Sequence, residues 1–515
     1  MKHSTRRWTT YLLAACALQL GVGACASPDR LAAVPLVASM QANPATSAPP
    51  VPIRYLVSRE TDSFAAEALR AFDKEQAYLA SQGHSGPLPP ASYLAISGGG
   101  DNGAYGAGFL NGWTAAGTRP EFKVVTGVST GALIAPFAFL GPKYDYVLEQ
   151  VYTTTSPSDI FKKRGLLRGV MSDAMADSRP LANVIATYAT RELLDAIAAE
   201  YAKGRVLLVG TANLDSLEPV VWNMTAIAAS QDPDAVELFR SILLASASIP
   251  AAFPPVMIDV DVAGTHYQEM HVDGGTMAQV FFYPPSANLS KLGAVPRKRT
   301  LYIIRNARLD ADWASVERST MTIAVRAIAS LTRTQGIGDL YRIYATTQRD
   351  GIDFNLTYIP PTFDTPHRAE FDTQYMRELY ATGKSLAQAG AEWEKSPPTF
   401  EREGTPIARA GRLGGVGRAG ATPADEVGRL LADHHARQVG VPARQLGHHR
   451  GVGDAQAFDP AHSQVGVDHR VLVGAHPAGA DRVGAQRRMA PDVLGEVRLA
   501  SGQRLAADQL AQRAL

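Results

Sequence analysis

The hexapeptide Thr126-Gly127-Val128-Ser129-Thr130-Gly131 constrains this chain more than any other stretch. Phe122-Lys123-Val124-Val125 before it reads as a short buried strand, and Ala132-Leu133-Ile134-Ala135 after it opens an apolar helix. Gly-x-Ser-x-Gly between a strand and a helix is the pattern of a nucleophile elbow, in which a sharp turn pushes the serine hydroxyl into the open. Gly127 and Gly131 are needed because a Cβ would clash where strand and helix nearly touch. The helix N-terminus then aims free N–H groups and its positive dipole end at any oxyanion formed there. The chain has 45 glycines, so the pattern acquires meaning only from its surroundings.

Those surroundings contain a second glycine-rich turn. Tyr93-Leu94-Ala95-Ile96 reads as a buried strand running into Ser97-Gly98-Gly99-Gly100-Asp101-Asn102-Gly103-Ala104-Tyr105-Gly106-Ala107-Gly108. A strand that empties into glycines opening a helix is an anion cradle, because backbone N–H groups without Cβ atoms can approach an oxygen closely. Gly98-x-Gly100-x-x-Gly103 matches a dinucleotide fingerprint literally, but such a unit should present an acidic residue at the end of its second strand. Here that strand ends in Gly127-Val128-Ser129, which favours acyl transfer over nucleotide binding. Parallel neighbouring strands would set Gly98, Gly99 and Gly100 beside Ser129 as an oxyanion hole.

A serine nucleophile needs a base. Between the N-terminal leader and the C-terminal tail the histidines are His84, His266, His271 and His367, and none sits in a convincing catalytic loop. Asp273 is better placed, at the end of a strand and followed by Gly274 and Gly275. Burial beside an acyl chain would raise its pKa and make direct proton transfer from a serine hydroxyl workable.

Composition excludes other classes. The formal net charge of the 515 residues is +1, which gives no bulk argument for nucleic acid. The only cysteines are Cys16 and Cys25, so beyond residue 25 there is no thiol for a disulfide, a zinc site or a Cys nucleophile. Residues 1–25 read as a leader: Lys2, His3, Arg6 and Arg7 precede a short apolar run that ends in Val22-Gly23-Ala24-Cys25. Small residues before a cysteine resemble a bacterial lipobox, with Cys25 as the acylated residue; Leu13-Ala14-Ala15-Cys16 also fits but leaves a very short core. Ala26 after the cysteine resembles an outer-membrane address, with the protein held on the periplasmic face. Residues 26–53, rich in Ala, Pro, Ser and Val, read as a tether.

From residue 54 to 397 strand and helix patterns alternate. Helices are expected at 62–80, 144–152, 235–246 and 371–393, and two more within 172–202, broken near Thr190. Strands are expected at 205–211, 220–222, 256–262, 270–272, 301–304 and 352–358, and 313–329 continues the alternation. The pattern implies an α/β sheet with helices on both faces.

In order, these pieces resemble the patatin-like phospholipase family over about residues 93–286. The resemblance rests on Ser97 to Gly103, on Gly127-Val128-Ser129-Thr130-Gly131, on Asp273-Gly274-Gly275, and on the block Ala245-Ser246-Ala247-Ser248-Ile249-Pro250 through Phe253-Pro254-Pro255. It implies a three-layer α/β/α fold and a lipid acyl hydrolase acting on membrane lipids or other lipid esters. Ser129 would be the nucleophile, Asp273 the base, and the Gly98 to Gly100 loop the oxyanion hole. No catalytic histidine, metal, nucleotide or other cofactor is implied. One departure stands out: where the family usually has Arg or Lys, two residues after the third glycine, this chain has Asn102. A histidine-dependent esterase using His367, and a non-catalytic lipid-binding lipoprotein, remain alternatives.

After Pro398 the composition changes. No Lys follows Lys395, no Trp follows Trp393, no Tyr follows Tyr380, no Asn follows Asn355, and Ile ends at Ile407. Codons for Lys, Asn, Ile and Tyr are AT-rich, so their joint scarcity is what a GC-rich gene read out of frame would produce. Residues 398–515 are expected to form no stable fold of their own, being poor in large apolar side chains. A genuine arginine-bearing disordered arm is the rival reading.

Overall fold

The computed structural model describes residues 30–41, 52–164, 172–287, 296–311, 313–390 and 392–398. Cys16, Cys25, half of the expected tether and the residues after Pro398 lie outside the described residues. The described stretch 30–41 departs from the tether expectation: Arg30 pairs with Asp215 at 2.8 Å, the Leu31 N–H donates to Gln268, and Leu36–Gln41 forms a 3-10 helix whose Ser39 carbonyl accepts from Arg54.

In chain order the strands are β1 (Arg54–Leu56), β2 (Ala91–Ile96), β3 (Phe122–Val128), β4 (Lys162–Lys163), β5 (Ala176–Asp177), β6 (Val206–Asn213), β7 (Glu218–Asn223), β8 (Val256–Val262), β9 (Thr265–Asp273), β10 (Arg299–Arg305) and β11 (Asp353–Tyr358). Nine of them form one sheet along the path β1-β7-β6-β3-β2-β10-β11, with β9 paired to both β6 and β8, while β4 and β5 make a separate hairpin. The pairs β10–β11, β10–β2, β2–β3 and β3–β6 are parallel, and the pairs that attach β1, β7, β8 and β9 are antiparallel. Every residue of β6 is buried, as expected of a central strand with both faces covered.

Each face of the sheet carries its own core. On one face Leu94, Ile96, Val125 and Ile304 pack against the helices Gly103–Ala115, Thr130–Leu140, Arg191–Ala202 and Thr373–Gln388. On the other, Ala95, Leu301, Ile303 and Phe354 meet Leu340, Ile343 and Tyr344 of the helix Thr320–Asp350. Alternation of side chains along β2 and β10 distributes these residues between the two cores. The arrangement is the expected three-layer α/β/α sheet.

Many of the glycines after the oxyanion loop serve packing. A Cβ at Gly108 or Gly112 would run into the backbone of Tyr380 or Lys384, and one at Gly383 into that of Tyr105. The helices Gly103–Ala115 and Thr373–Gln388 therefore cross at backbone contact. The largest departure from the expected boundaries is the helix Thr320–Asp350, which runs well past the expected 313–329. It starts where the Ser319 side chain caps the Thr322 N–H, and continues through Gly336 and Gly338 because its second half is packed on β10 and β11.

Candidate active site

β3 ends at Val128 and the helix Thr130–Leu140 begins one residue after Ser129. Ser129 has φ 56° and ψ −128°, a backbone conformation that costs an L-residue about 1–2 kcal/mol. A Cβ at Gly127 would collide with the Gly131 carbonyl, and one at Gly131 with the carbonyls of Ile96 and Ser97. The turn is thus tight enough to exclude side chains at both flanking positions. The Ser129 N–H donates to Ser246 Oγ at 3.0 Å, and Ser246 Oγ donates to the Gly210 carbonyl at 2.7 Å, so the strained residue is tied to β6.

Asp273 closes β9, pairs with Thr211 of β6, and is buried. Its backbone N–H donates to the Ser248 carbonyl at 2.9 Å, and its Oδ1 accepts the Gly275 N–H at 2.7 Å. Gly274 lies so close to the Gly210 carbonyl that a Cβ would not fit. The Ser129 side chain lies close enough to the Asp273 carboxyl to influence its protonation. Burial pushes that carboxyl up from 3.8 to about 6, and Ser129 and the Gly275 N–H pull the other way. The structure therefore brings Ser129 and Asp273 together. It also gives Ser246 and Ser248, two residues of the block 245–250, separate supporting contacts, one to each partner.

The glycine loop lies beside them, since β2 and β3 are parallel neighbours. An added Cβ at Gly98 would sit 3.1 Å from Ser129 Cβ. One expected donor is corrected, however: the Gly98 N–H is already given to the Gln279 carbonyl at 3.0 Å. Gly98 acts by its lack of a side chain, and the N–H groups of Gly99 and Gly100 are the ones that donate to no carbonyl among the described residues. Gly103 is required for packing, because a Cβ there would strike the Thr130 side chain.

Four residues behind the loop carry no sequence motif. The Gly98 carbonyl accepts from Ser97 Oγ at 2.7 Å and from Arg305 Nη1 at 3.4 Å. That carbonyl belongs to the same peptide unit as the Gly99 N–H, so donors on the oxygen polarise and orient the N–H. Arg305 is buried, and its Nε has no hydrogen-bond partner. Burial pulls its guanidinium down from 12.5 to about 10, opposed by the Asp339 carboxylate, so it stays charged at neutral pH. Asp339 in turn accepts the Gln279 N–H at 2.6 Å, and Gln279 Nε2 donates to the Gly275 carbonyl at 2.7 Å. Gln279 thereby links the glycine loop to the Asp273 turn. Asn306 holds the same loop from the end of β10, through Ser97 Oγ at 2.8 Å and the Ser97 carbonyl at 2.9 Å.

Asn102 accepts a hydrogen bond from Tyr375 Oη at 2.6 Å, a neutral contact at the position where a cation was noted to be missing. The cation near the loop is Arg305, which arrives from a different strand. Asp101 Oδ2 accepts from His367 Nε2 at 2.7 Å and from the Phe371 N–H at 2.8 Å. Asp101, His367 and Glu370 bring their potential ligand atoms within 4.8 Å of one another. Burial, and then the Asp101 charge, raise the Glu370 pKa. The group could in principle hold a cation, but Asp101 and His367 already satisfy each other.

None of the four histidines is hydrogen-bonded to Ser129. His271 is fully buried between Thr211 Oγ1 at 3.0 Å and Glu269 at 3.1 Å, His266 is beside Asp261 on the surface, and His84 contacts the Pro87 carbonyl.

A pocket opens from Ser129, Thr130 and Gly100 along the elbow helix. Leu133, Pro136 and Phe137 form one wall, and Leu181, Val184, Ile185 and Tyr188 of the helix Arg179–Tyr188 form another. Phe371, held by Asp101, also faces it. Apart from Ser129, Thr130, Tyr152, Thr155 and Tyr188 the side chains that line it are hydrocarbon, so the cavity suits an acyl chain whose ester lies at the serine.

Residues 94–284 match the family model described as patatin-like phospholipase. No curated protein matches the chain. Among solved structures it is similar to VipD from Legionella pneumophila, at 10% identity over 59% of this chain and 67% of that one, with TM-score 0.31. It is similar to full-length ExoU of Pseudomonas aeruginosa in complex with SpcU, at 14% identity, 59% and 52% coverage, TM-score 0.26. It is similar to human GIVD cytosolic phospholipase A2, at 10% identity, 61% and 56% coverage, TM-score 0.27. The last two are thus matched over only about half of their own lengths. By its family match, this chain carries a patatin-like phospholipase domain over residues 94–284.

Proposed function

We propose that the protein is a lipid acyl hydrolase that cleaves carboxylic esters with a Ser129–Asp273 dyad. The observation that carries this reading is the placement of the Ser129 side chain beside a buried carboxyl that burial raises to about 6. At neutral pH that carboxyl is mostly ionised yet basic enough to accept a proton. Ser129 Oγ attacks the ester carbon as its proton passes to Asp273. The carbonyl oxygen becomes an oxyanion facing the N–H groups of Gly99 and Gly100. Collapse expels the alcohol, which takes the proton from Asp273, and leaves an acyl group on Ser129. Water then attacks the acyl-enzyme with Asp273 again as base, releasing the fatty acid and restoring the serine. The hydrocarbon pocket beside Ser129 supports a long acyl chain as the group transferred. Engagement of the described histidines elsewhere favours the dyad over a histidine base.

Ser129→Ala and Asp273→Asn test the reading. Each should abolish ester hydrolysis with the fold intact, and Ser129→Ala should also lose labelling by a fluorophosphonate probe. Substantial turnover by Ser129→Ala on a substrate that the wild type hydrolyses would end it.

The leader supports a further element of the same reading: acylation of Cys25 and attachment to the outer membrane. A fatty-acid analogue should label the wild type and fail to label Cys25→Ser. Label that persists in Cys25→Ser and vanishes in Cys16→Ser would move the anchor to Cys16.

A further inference from the structure

The chain is fastened to the sheet only a few residues after Cys25. Arg30 Nη1 and Nη2 donate to Asp215 Oδ1 and Oδ2, each at 2.8 Å, and Nη2 also donates to the Gln268 carbonyl at 2.8 Å. A two-pronged contact between guanidinium and carboxylate fixes direction as well as distance. The Leu31 N–H donates to Gln268 Oε1 at 2.9 Å, and the Gln268 N–H donates to the Ala32 carbonyl at 3.1 Å. Asp215 is itself held in place, since its Oδ2 accepts the Met270 N–H at 2.9 Å. Further along, Arg54 Nη2 donates to the Ser39 carbonyl at 3.0 Å while its Nη1 pairs with Glu269. Residues 30–32 and Ser39 are thus tied to adjacent positions of β9.

The place of this clamp in the fold matters. Asp215 stands in the turn between β6 and β7, and β6 runs parallel to β3, so the turn lies at the end of the sheet that carries Ser129. Gln268 and Asp273 belong to the same strand, about 17 Å apart at about 3.4 Å per residue. The span from Cys25 to Arg30 is covalently limited to about 18 Å at about 3.6 Å per residue, whatever its conformation. Were the chain free up to Arg54, where β1 begins, the same limit would be about 100 Å.

We propose that the contact of Arg30 with Asp215 and Gln268 is a leash stop, which holds the β6–β7 turn and the β8–β9 hairpin beside the bilayer that carries the acylated Cys25 and so directs Ser129 to esters of that same bilayer. The proposal rests on the acyl-hydrolase and Cys25 readings. Covalent reach identifies the partner: the acyl group sits in a lipid bilayer, and the clamp is held within about 18 Å of it. A short tether also raises the concentration of bilayer esters at the dyad, because effective concentration falls roughly as the −3/2 power of tether length.

The test uses the acylated protein in phosphatidylcholine vesicles. Cleavage before Cys25 removes Cys16, and acylation occupies Cys25, so an introduced cysteine is the only free thiol. A dye is placed at Leu217→Cys, exposed in the β6–β7 turn, or at Ser85→Cys, exposed in the loop that enters β2 from the opposite end of the sheet. Energy transfer to acceptor-labelled headgroups should be about twofold or more stronger from position 217 than from position 85. Insertion of about twenty Gly/Ser residues between Ser27 and Pro28 should erase that difference with the melting temperature unchanged, and Arg30→Ala should reduce it. The insertion should lower turnover of the vesicle lipid about tenfold and leave turnover of a dissolved short-chain ester unchanged. Equal transfer from the two positions in the parent overturns the proposal, and so does a difference that survives the insertion. Unchanged turnover of vesicle lipid in the insertion variant also overturns it. A parent that takes up no fatty-acid label at Cys25 fails the lipoprotein reading and the proposal with it. A labelled parent inactive on both esters fails the acyl-hydrolase reading alone, and the pair of dyes then decides whether the clamp sets the distance to the bilayer.

Discussion

The Ser129 side chain lies beside the Asp273 carboxyl although β6 lies between the strands that deliver them. The contact exists because β6 is nearly bare at that level. Gly210 pairs with Val128, its carbonyl receives Ser246 Oγ, and Gly274 rests on it. A side chain at 210 would lie 3.0 Å from the Phe281 ring and 3.3 Å from Val128. The buried carboxyl that results is poised for proton transfer and poorly placed for stability.

Both consequences are measurable through pH. Activity needs the ionised carboxylate, so kcat/KM should rise through an apparent pKa of about 6 and level off above it. For stability the sign is opposite. The folded pKa is above the ordinary 3.8, so the favourable contribution is complete below 3.8 and is lost as pH rises through about 6. A rise of that size corresponds to about 3 kcal/mol. Asp273→Asn should therefore be inactive yet melt at a higher temperature than wild type at pH 8, with the gap closing near pH 4. Calorimetry at the two pH values checks it, and a lower melting temperature at pH 8 would contradict it.

Arg305 should matter to the rate rather than to substrate affinity. Its guanidinium acts on the Gly98 carbonyl, and hence on the Gly99 N–H that faces the developing charge. Arg305→Met should lower kcat about tenfold with KM near wild type, and Arg305→Lys should recover part of the loss. Affinity for a trifluoromethyl ketone, which forms an oxyanion on the serine, should fall in parallel with kcat/KM. A change confined to KM would assign Arg305 to substrate binding.

The pocket wall should set chain-length preference. Val184 faces the cavity from the helix Arg179–Tyr188, opposite the elbow helix. Val184→Phe should cut hydrolysis of long-chain esters about tenfold or more while leaving short-chain esters near wild type, because only the longer chain reaches the new ring. A chain-length series of p-nitrophenyl esters reads this directly. Equal losses at every length would mean the pocket does not receive the acyl chain.

The chain ended after Pro398 should keep full activity and thermal stability. Tyr341 Oη donates to the Pro398 carbonyl at 2.6 Å, so the ordered body extends to that residue. A marked fall in either property would show that residues 399–515 belong to the enzyme, and resequencing the gene around that codon would separate a frameshift from a genuine arm.

Local rules made much of the fold legible from the sequence. Apolar periodicity marked the helices Ala235–Ser246 and Thr61–Ser81, and Thr190 separates two helices because its side chain caps the Leu193 N–H. The elbow was legible because a turn so tight admits only glycine at 127 and 131, and Asp273 because two glycines follow it at a strand end. The tertiary structure decided what the chain brings together from afar. The Gly98 N–H belongs to Gln279, Ser246 and Ser248 support the two ends of the Ser129–Asp273 pair, and Arg305 stands behind the loop where Asn102 could not serve as a cation. Ser246 and Ser248 lie in a block the resemblance singles out, but neither their partners nor Gln279 and Arg305 have a local signature, because a hydrogen-bond partner across the sheet is fixed by strand order and register, and those arise only when distant segments bury their apolar faces together.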